Sequence, residues 1–271
     1  MKDLKLVLKD THDNQESIVT VDSLKIGREF VIMAGPCAVE SEEQTLSIAR
    51  KVKEAGAHIL RGGAFKPRMS PYSFQGLEEE GLEILKKAKQ ETGLPVVSEV
   101  MDARHIETVS ACVDILQVGS RNMQNYTLLK ELSMVKKPVM LKRGMNATLE
   151  DWLNSAEYLL AGGNPDVILC ERGIRTFETS MRNTLDLSIV PAAKRISHLP
   201  VIVDPSHGTG RADLIEPMSL AAIAAGADGL LIEVHNHPSC ALSDHKQQIS
   251  PDAFARLVPK LLKMKQLMDE F

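Results

Sequence analysis

The chain has 271 residues, 44% hydrophobic and 25% charged, with a formal net charge of −4. This balance suits a globular protein with a sizeable core and excludes a global electrostatic pull toward nucleic acid or an anionic membrane, so any anion binding must be local. The opening MKDLKLVLKD has no apolar signal-peptide region, and no uncharged run approaches the roughly 20 residues of a membrane span. The expectation is a cytoplasmic protein. Four cysteines, Cys37, Cys112, Cys170 and Cys240, stand far apart without a CxxC spacing. That argues against a disulfide framework and reads Cys112 and Cys170 as buried thiols.

Residues 4–30 hold two short apolar runs, Leu4, Leu6 and Leu8, then Ile18, Val19 and Val21, around the turn-rich THDNQES. They predict a β-hairpin extension over 1–29. From Phe30 the pattern becomes a repeat of short apolar strands and amphipathic helices. The strands are FVIMAG (30–35), AHILRG (57–62), LPVVSEV (94–100), VDILQVG (113–119), KPVMLKR (137–143), PDVILCE (165–171), LPVIVDP (199–205) and ADGLLIEVH (227–235). Each is a continuous apolar run, as in a parallel sheet buried on both faces. Between them lie helical segments. One opens at Ser41–Gln44 with a capping-box pattern, and others span 77–90, 102–110, 125–132, 148–161, 186–197, 212–225 and 251–268. Gly93 before Pro95 closes the second of these. Eight βα units over 30–271 predict an α/β fold of the (β/α)8 TIM-barrel type. A doubly wound open sheet would more usually have fewer strands.

In such a barrel the chemistry lies at the C-terminal ends of the strands. Those ends run into GPCAVES, RGGAFKPR, Ser98-Glu99, Gly119-Ser120-Arg121-Asn122, Lys142-Arg143-Gly144, Glu171-Arg172-Gly173, Asp204-Pro205-Ser206-His207-Gly208 and Glu233-Val234-His235. Apart from Phe30, the opposite ends begin with Pro, Ala or Val, the Pro in three of them standing behind a Leu or Lys. One rim is therefore polar and rich in cations. The segment RGGAFKPRMSPYSFQ (61–75) carries Arg61, Lys66 and Arg68 and no acid. Arg121, Lys142 and Arg172 join them from other strand ends. Arginine forks and lysine point charges in this number suit two anionic groups or a polyanion. The competing reading pairs each with a carboxylate as a structural salt bridge. Cys37, His207, Glu233 and Asp244, with His235, His237 and His245 nearby, are a thiol, an imidazole and two carboxylates of the kind that holds a divalent transition metal. They come from separate loops without a spacing motif, so an ordinary core role for each stays open. Ser206 beside His207 lacks a nucleophile elbow and does not read as a hydrolase pair. Trp152 and the 12 methionines read as packing residues.

The motifs GPCAVES (35–41), GGAFKPR and SPYSFQG (62–76), LKRG (141–144), ILCERGIRTFE (168–178), VDPSHGTG (203–210) and IEVH (232–235) together resemble 3-deoxy-D-arabino-heptulosonate 7-phosphate (DAHP) synthase. The likeness is to the short single-barrel form related to 3-deoxy-D-manno-octulosonate 8-phosphate (KDO8P) synthase, and it runs from about Gly27 onward. The Lys-Pro-Arg of 66–68 favours the heptulosonate enzyme. The resemblance implies metal-dependent condensation of phosphoenolpyruvate with erythrose 4-phosphate, releasing phosphate, as the first step of the shikimate pathway. By motif, Lys66, Arg121, Lys142 and Arg172, with Arg61, would hold phosphoenolpyruvate, and Glu99 would position a water or proton. Arg68, with Pro67 and Ser70 in the same turn, would hold the aldose phosphate. Lys66, Cys37, His207 and Glu99 would be the catalytic groups. Cys37, His207, Glu233 and Asp244 would ligate a divalent ion of the Mn, Fe, Zn or Co class. A homotetramer or homodimer, with no nucleic-acid or membrane partner, is implied. The alternatives are arabinose 5-phosphate as the aldose, or a non-catalytic phosphate-binding barrel. Position 69 is Met where the family usually has Thr, which removes a hydroxyl donor to the aldose phosphate. The N-terminal segment, of about 30 residues, is short beside relatives with a regulatory domain. An enzyme without built-in inhibition by aromatic amino acids is expected.

Overall fold

The computed structural model describes residues 3–68 and 70–271. Eight parallel strands close into a barrel: β3 (Val31–Gly35), β4 (Ile59–Arg61), β5 (Val96–Glu99), β6 (Ile115–Val118), β7 (Val139–Lys142), β8 (Val167–Glu171), β9 (Val201–Val203) and β10 (Gly229–Glu233). Closure comes from β10 pairing with β3, in the register Gly229↔Val31 to Glu233↔Gly35. The strands match the eight predicted, shortened at their ends. Phe30 lies outside β3, and Asp204-Pro205 leave β9 to start a helix.

The helices follow the expected signals. In α1 (Glu42–Glu54) the Ser41 side chain accepts from the Gln44 amide, satisfying a donor that the first helical turn leaves free. α2 (Glu78–Thr92) ends at Gly93 with φ +70°, a left-handed cap that glycine adopts without strain. α3 (Ile106–Cys112), α4 (Tyr126–Ser133), α5 (Leu149–Ala161) and α6 (Ile189–Ile196) follow. α5 opens with a reciprocal Thr148–Asp151 capping box. The sequence pattern did not single out α7 (Pro205–Thr209), one turn started by Asp204, whose carboxylate accepts from the His207 amide. α8 (Ile215–Ala224) and α9 (Pro251–Met268) complete the ring.

Strand residues alternate between two apolar layers, because side chains in a strand point to opposite faces in turn. Ile32, Leu60, Val96, Leu116, Val139, Leu169, Val203 and Ile232 face the helices in the larger cluster. Val31, Met33, Ile59, Val97, Ile115, Met140, Ile168, Cys170, Ile202 and Leu231 fill the barrel interior. Trp152 is fully buried, its indole nitrogen donating to the Leu141 carbonyl, as expected of a packing residue.

The hairpin exists, but not between the predicted runs. It joins β1 (Val19–Val21) to β2 (Leu24–Ile26), in the register Val19↔Ile26. Val19, Val21 and Ile26 are buried against the interior cluster, so the hairpin plugs the N-terminal mouth. The run Leu4–Leu8 forms no strand of the hairpin, and Leu8 makes only an isolated antiparallel bridge to Ser197. Leu4 and Val7 are buried and Leu6 is exposed. Its backbone amides at Lys5, Leu6 and Val7 donate to the Glu157 carboxylate on α5. A side-chain acceptor does here what a second strand would do for unpaired amides.

Candidate functional site

The interior positions follow a rule of two. Moving two residues toward the C-terminal end from Ile59, Val97, Ile115, Met140, Ile202 and Leu231 gives Arg61, Glu99, Gln117, Lys142, Asp204 and Glu233. The pleat that directs the apolar layer inward directs this polar layer inward as well. Above it lies a cleft of about 310 Å³ lined by Arg61, Lys66, Pro67, Arg68, Ser70, Glu99, Gln117, Gly119, Arg121, Lys142, Arg172, Arg182, His207 and Asp244, among others. Every site residue expected from the sequence lines it except Cys37 and Glu233, which are fully buried behind its wall. The Met69 departure lies outside the described residues.

Two glycines shape this cleft. At Gly119 a Cβ would stand 2.1 Å from Glu99 Oε1, so a side chain there would displace the carboxylate. Gly76 closes the 61–75 loop with φ +100°, and a Cβ there would meet the Ala64 carbonyl at 2.1 Å. Only glycine fits such a turn. The loop is held above it by the Lys66 amide donating to the Gln75 carbonyl, at 2.8 Å.

The cations divide into two sets. Arg61 donates to Glu233 Oε1 at 2.9 Å, Lys142 to Asp204 Oδ2 at 2.6 Å, and Arg68 stands 3.9 Å from Asp244 Oδ1. For these the salt-bridge reading holds in part. Among the described residues, Lys66, Arg121 and Arg172 have no carboxylate within 4.0 Å. Lys66 Nζ contacts Cys37 Sγ at 3.0 Å and the Cys37 carbonyl at 3.1 Å. Arg121 donates to the Pro67 carbonyl at 3.4 Å, and Arg172 to the Gly173 carbonyl at 3.2 Å. Arg172 is almost wholly buried, and that burial pulls its pKa down, with Asp204 opposing. A buried guanidinium without a carboxylate is costly unless an anion comes to it. Among the described residues, the Arg61 Nε atom is likewise buried without a hydrogen-bond partner. Burial raises the pKa of Glu99 against the pull of Lys66 and Lys142.

The ligand atoms of Cys37, Glu233 and Asp244 all lie within 4.8 Å of one another. His207 Nε2 flanks them, 3.6 Å from Glu233 Oε1 and 3.9 Å from Asp244 Oδ2. His207 Nδ1 is 2.7 Å from Asp204 Oδ2, so Nδ1–H donates to the Asp204 carboxylate and leaves Nε2 free to face the cluster. Thiol, imidazole and two carboxylates are a chemically coherent donor set for a divalent transition metal. Burial, then Glu233, pushes the Cys37 thiol up to about 12, so a bound cation would have to displace its proton. Burial opposes ionisation of Glu233 and Asp244, but His207, with Arg61 for the first and Arg182 for the second, holds both below the usual carboxylate range. Asp244 adopts φ +48°, a left-handed conformation that Asp tolerates better than most residues other than glycine.

The supporting groups were not visible in the sequence pattern. Gln247 Nε2 donates to Glu233 Oε2 at 2.7 Å, and Gln248 Oε1 accepts from the Cys37 amide at 3.1 Å. Ser206 Oγ accepts from the Glu233 amide, a structural bond that agrees with its not being a nucleophile. His235 faces Glu40 at 3.3 Å, and Glu40 also accepts from the Leu242 amide, bracing the loop that leads to Asp244. Arg182, absent from the predicted site, projects into the cleft from the segment after β8, which an Ile174↔Thr184 bridge folds back on itself.

A family model described as the DAHP synthetase I family matches residues 13–270. A phospho-2-dehydro-3-deoxyheptonate aldolase from Thermotoga maritima is 48% identical over 265 residues, covering 97% of this chain and 78% of that protein. A 2-dehydro-3-deoxyphosphooctonate aldolase from Geobacter sulfurreducens is 31% identical over 90% of this chain and 96% of its own. The crystal structure of the Thermotoga maritima DAHP synthase superposes with a TM-score of 0.95 over 99% of this chain and 78% of that one, at 47% identity. A truncated form of the synthase from the same organism gives 0.90 over 97% and 96%, at 43% identity. With the barrel, the cationic rim and the thiol–carboxylate cluster in place, the chain belongs to the DAHP synthetase I family.

Proposed function

We propose that this chain condenses phosphoenolpyruvate with erythrose 4-phosphate and water to give DAHP and phosphate, and that the cleft above the barrel is where it does so. The supporting observation is Lys66, Arg121 and Arg172, cations without carboxylate partners among the described residues, which line one cleft with His207 and Asp244, Lys66 itself touching Cys37 of the Cys37–His207–Glu233–Asp244 cluster. A rim built only for stability would have paired them. The relative at 48% identity favours the heptulosonate reaction over the octulosonate one, whose relative stands at 31%.

In this reading Lys66, Arg121, Lys142 and Arg172, with Arg61, hold the phosphate and carboxylate of phosphoenolpyruvate. Arg68, with Pro67 and Ser70 in the same turn, holds the aldose phosphate. The two substrates are thereby fixed in reacting geometry, with fixed positive charge around the phosphate that leaves. Cys37, His207, Glu233 and Asp244 would hold a divalent cation of the Mn, Fe, Zn or Co class, which when bound supplies Lewis acidity toward the aldehyde oxygen. C3 of phosphoenolpyruvate forms the new bond to the aldehyde carbon, positive character develops at C2, and water adds there. The hemiketal phosphate then loses phosphate. Glu99, inclined by burial toward its protonated form, orients that water or holds a proton beside it. Among the described residues no helix is long and apolar enough to cross a membrane. A cytoplasmic homo-oligomer, with 1–29 as an extension of the catalytic barrel at 30–271, belongs to the same proposal.

The test is phosphate release from phosphoenolpyruvate with erythrose 4-phosphate and, separately, with arabinose 5-phosphate, before and after EDTA and with single divalent metals restored. Turnover with the four-carbon aldose, lost on chelation and regained with metal, is expected. Preference for the five-carbon aldose would reassign the substrate. No turnover with either would reduce the barrel to a binding module.

A further inference from the structure

Arg182 is a charged group in the cleft to which the proposed reaction assigns no role. Its guanidinium donates to Gln247 Oε1 at 2.7 Å and lies 3.2 Å from Asp244 Oδ2. The other oxygen of the same carboxylate, Oδ1, faces Arg68 at 3.9 Å. Two arginine forks thus converge on one carboxylate at the mouth of the cleft. Both also line a second, more open cavity of about 530 Å³, which continues outward past Thr179, Ser180, Arg211 and Lys246. The position of Arg182 is built rather than incidental. Its amide donates to the Thr209 carbonyl, and a Cβ at Gly210 would collide with its own Cβ at 2.4 Å. Gln247 holds Arg182 with its carbonyl and Glu233 with its amide, which ties the guanidinium to the wall of the cluster.

Charge balance gives this arrangement a purpose. A phosphate monoester carries between one and a half and two negative charges at neutral pH, by about the usual estimate. Arg68 alone offers one positive charge to it. Asp244, when its carboxylate is engaged by a divalent cation, is a weaker partner for the two forks, and both are then left facing the mouth. We infer that Arg182 is a second anchor for the phosphate of the aldose, acting as a pair with Arg68. The inference rests on the proposed condensation and adds to it a residue that shapes which aldose phosphates bind.

The experiment compares wild type with Arg182→Gln and Arg182→Lys. The KM for erythrose 4-phosphate should rise about tenfold to a hundredfold in Arg182→Gln, as expected for loss of a charge-assisted contact. The KM for phosphoenolpyruvate should stay within about twofold of wild type, the spread expected when no contact to it is lost. Arg182→Lys, which keeps the charge and loses the fork, should fall between them. Manganese affinity, measured by competition with a chelating dye, should be unchanged or tighter in Arg182→Gln, because a like charge beside Asp244 has gone. An unchanged KM for erythrose 4-phosphate would overturn the inference. So would weaker manganese binding with both KM values raised together, which would make Arg182 a brace for Asp244. Absence of wild-type turnover with erythrose 4-phosphate would instead sink the activity reading on which it stands.

Discussion

The two ends of the barrel are built from the same strands and are chemically opposite. At the N-terminal mouth, Val31, Ile59, Val97, Ile115, Met140, Ile168, Ile202 and Leu231 form a dry interior, and the β1–β2 hairpin seals it with Val19, Val21 and Ile26. Two residues further along, the same inward-facing positions carry Arg61, Glu99, Gln117, Lys142, Asp204 and Glu233. The lower layer contributes stability through buried apolar area. The upper layer buries charge, which by itself is weak evidence for stability and is costly where the charge is unpaired. Stability and chemistry are therefore separated by about two residues along each strand, roughly 7 Å. A substitution should act on one or the other according to which layer it enters.

The sharpest way to break this division is to place a charge in the lower layer. Met140→Lys would set an ammonium in the apolar cluster that holds Val97, Ile115 and Ile168. A destabilisation on the order of 5 kcal/mol is expected, seen as a large fall in the urea midpoint or as insoluble protein. A midpoint close to wild type would mean that the lower layer is not the dry core described. The converse change removes a charge from the upper layer. Arg172→Leu should lower kcat/KM for phosphoenolpyruvate about a hundredfold, the equivalent of roughly 2.7 kcal/mol. It should leave the urea midpoint unchanged or raise it, because the lost guanidinium is buried and has no carboxylate within 4.0 Å among the described residues. A variant that lost stability and kept its kcat/KM would make Arg172 a structural residue and erase the contrast.

How much of this could be read from the sequence depends on how local each signal is. The barrel strands were legible because both faces are buried, which writes an apolar run into the chain wherever a strand passes. The cationic rim was legible because strand ends are identifiable once strands are. Arg182 was not, since it stands mid-loop, ten residues beyond Arg172, and enters the cleft only through the fold-back at Ile174 and Thr184. Gln247 and Gln248 were invisible for a related reason. An amide that satisfies a buried carboxylate or a backbone amide has no periodicity and no charge to mark it. The metal-type donor set could be listed by residue type, but its convergence is a property of four loops meeting. Residue type supplied the grouping and left an ordinary core role open for each; the resemblance, rather than any spacing, marked the four as ligands. The hairpin was anticipated with the wrong partners because Leu4–Leu8 has strand-like alternation, yet its amides are met by Glu157, a side chain over a hundred positions away.

The N-terminal mouth offers a smaller, pH-dependent version of the same comparison. His198 fastens residues 5–17 to the underside of the barrel. Its Nε2 lies 2.8 Å from the Leu6 carbonyl, so it must carry the proton there, and its Nδ1 accepts from the Ser17 hydroxyl at 2.7 Å. His12 stacks on its ring with centroids 4.1 Å apart, and the Ser17 amide donates to its carbonyl. Burial lowers the pKa of His198, with the Leu6 contact opposing and His12 adding to the fall. The folded chain then binds fewer protons at this site than the unfolded chain between the lowered pKa and the ordinary value of about 6.5. Stability from this group is complete above that value and is lost as pH falls through it toward the folded pKa. His58, also lowered by burial, acts in the same direction. Taking the wild type from pH 7.5 to 5.5 should therefore lower Tm, and His198→Gln should show a smaller fall over that interval. The difference should be under about 4 °C, what 1 kcal/mol is worth in a chain of this size. Amide exchange should quicken at residues 5–17 and leave the strand amides of β7 and β8 protected. Equal acid sensitivity in the two proteins would free the N-terminal segment from His198, and exchange quickening first in the strands would place the weak point in the barrel rather than in its seal.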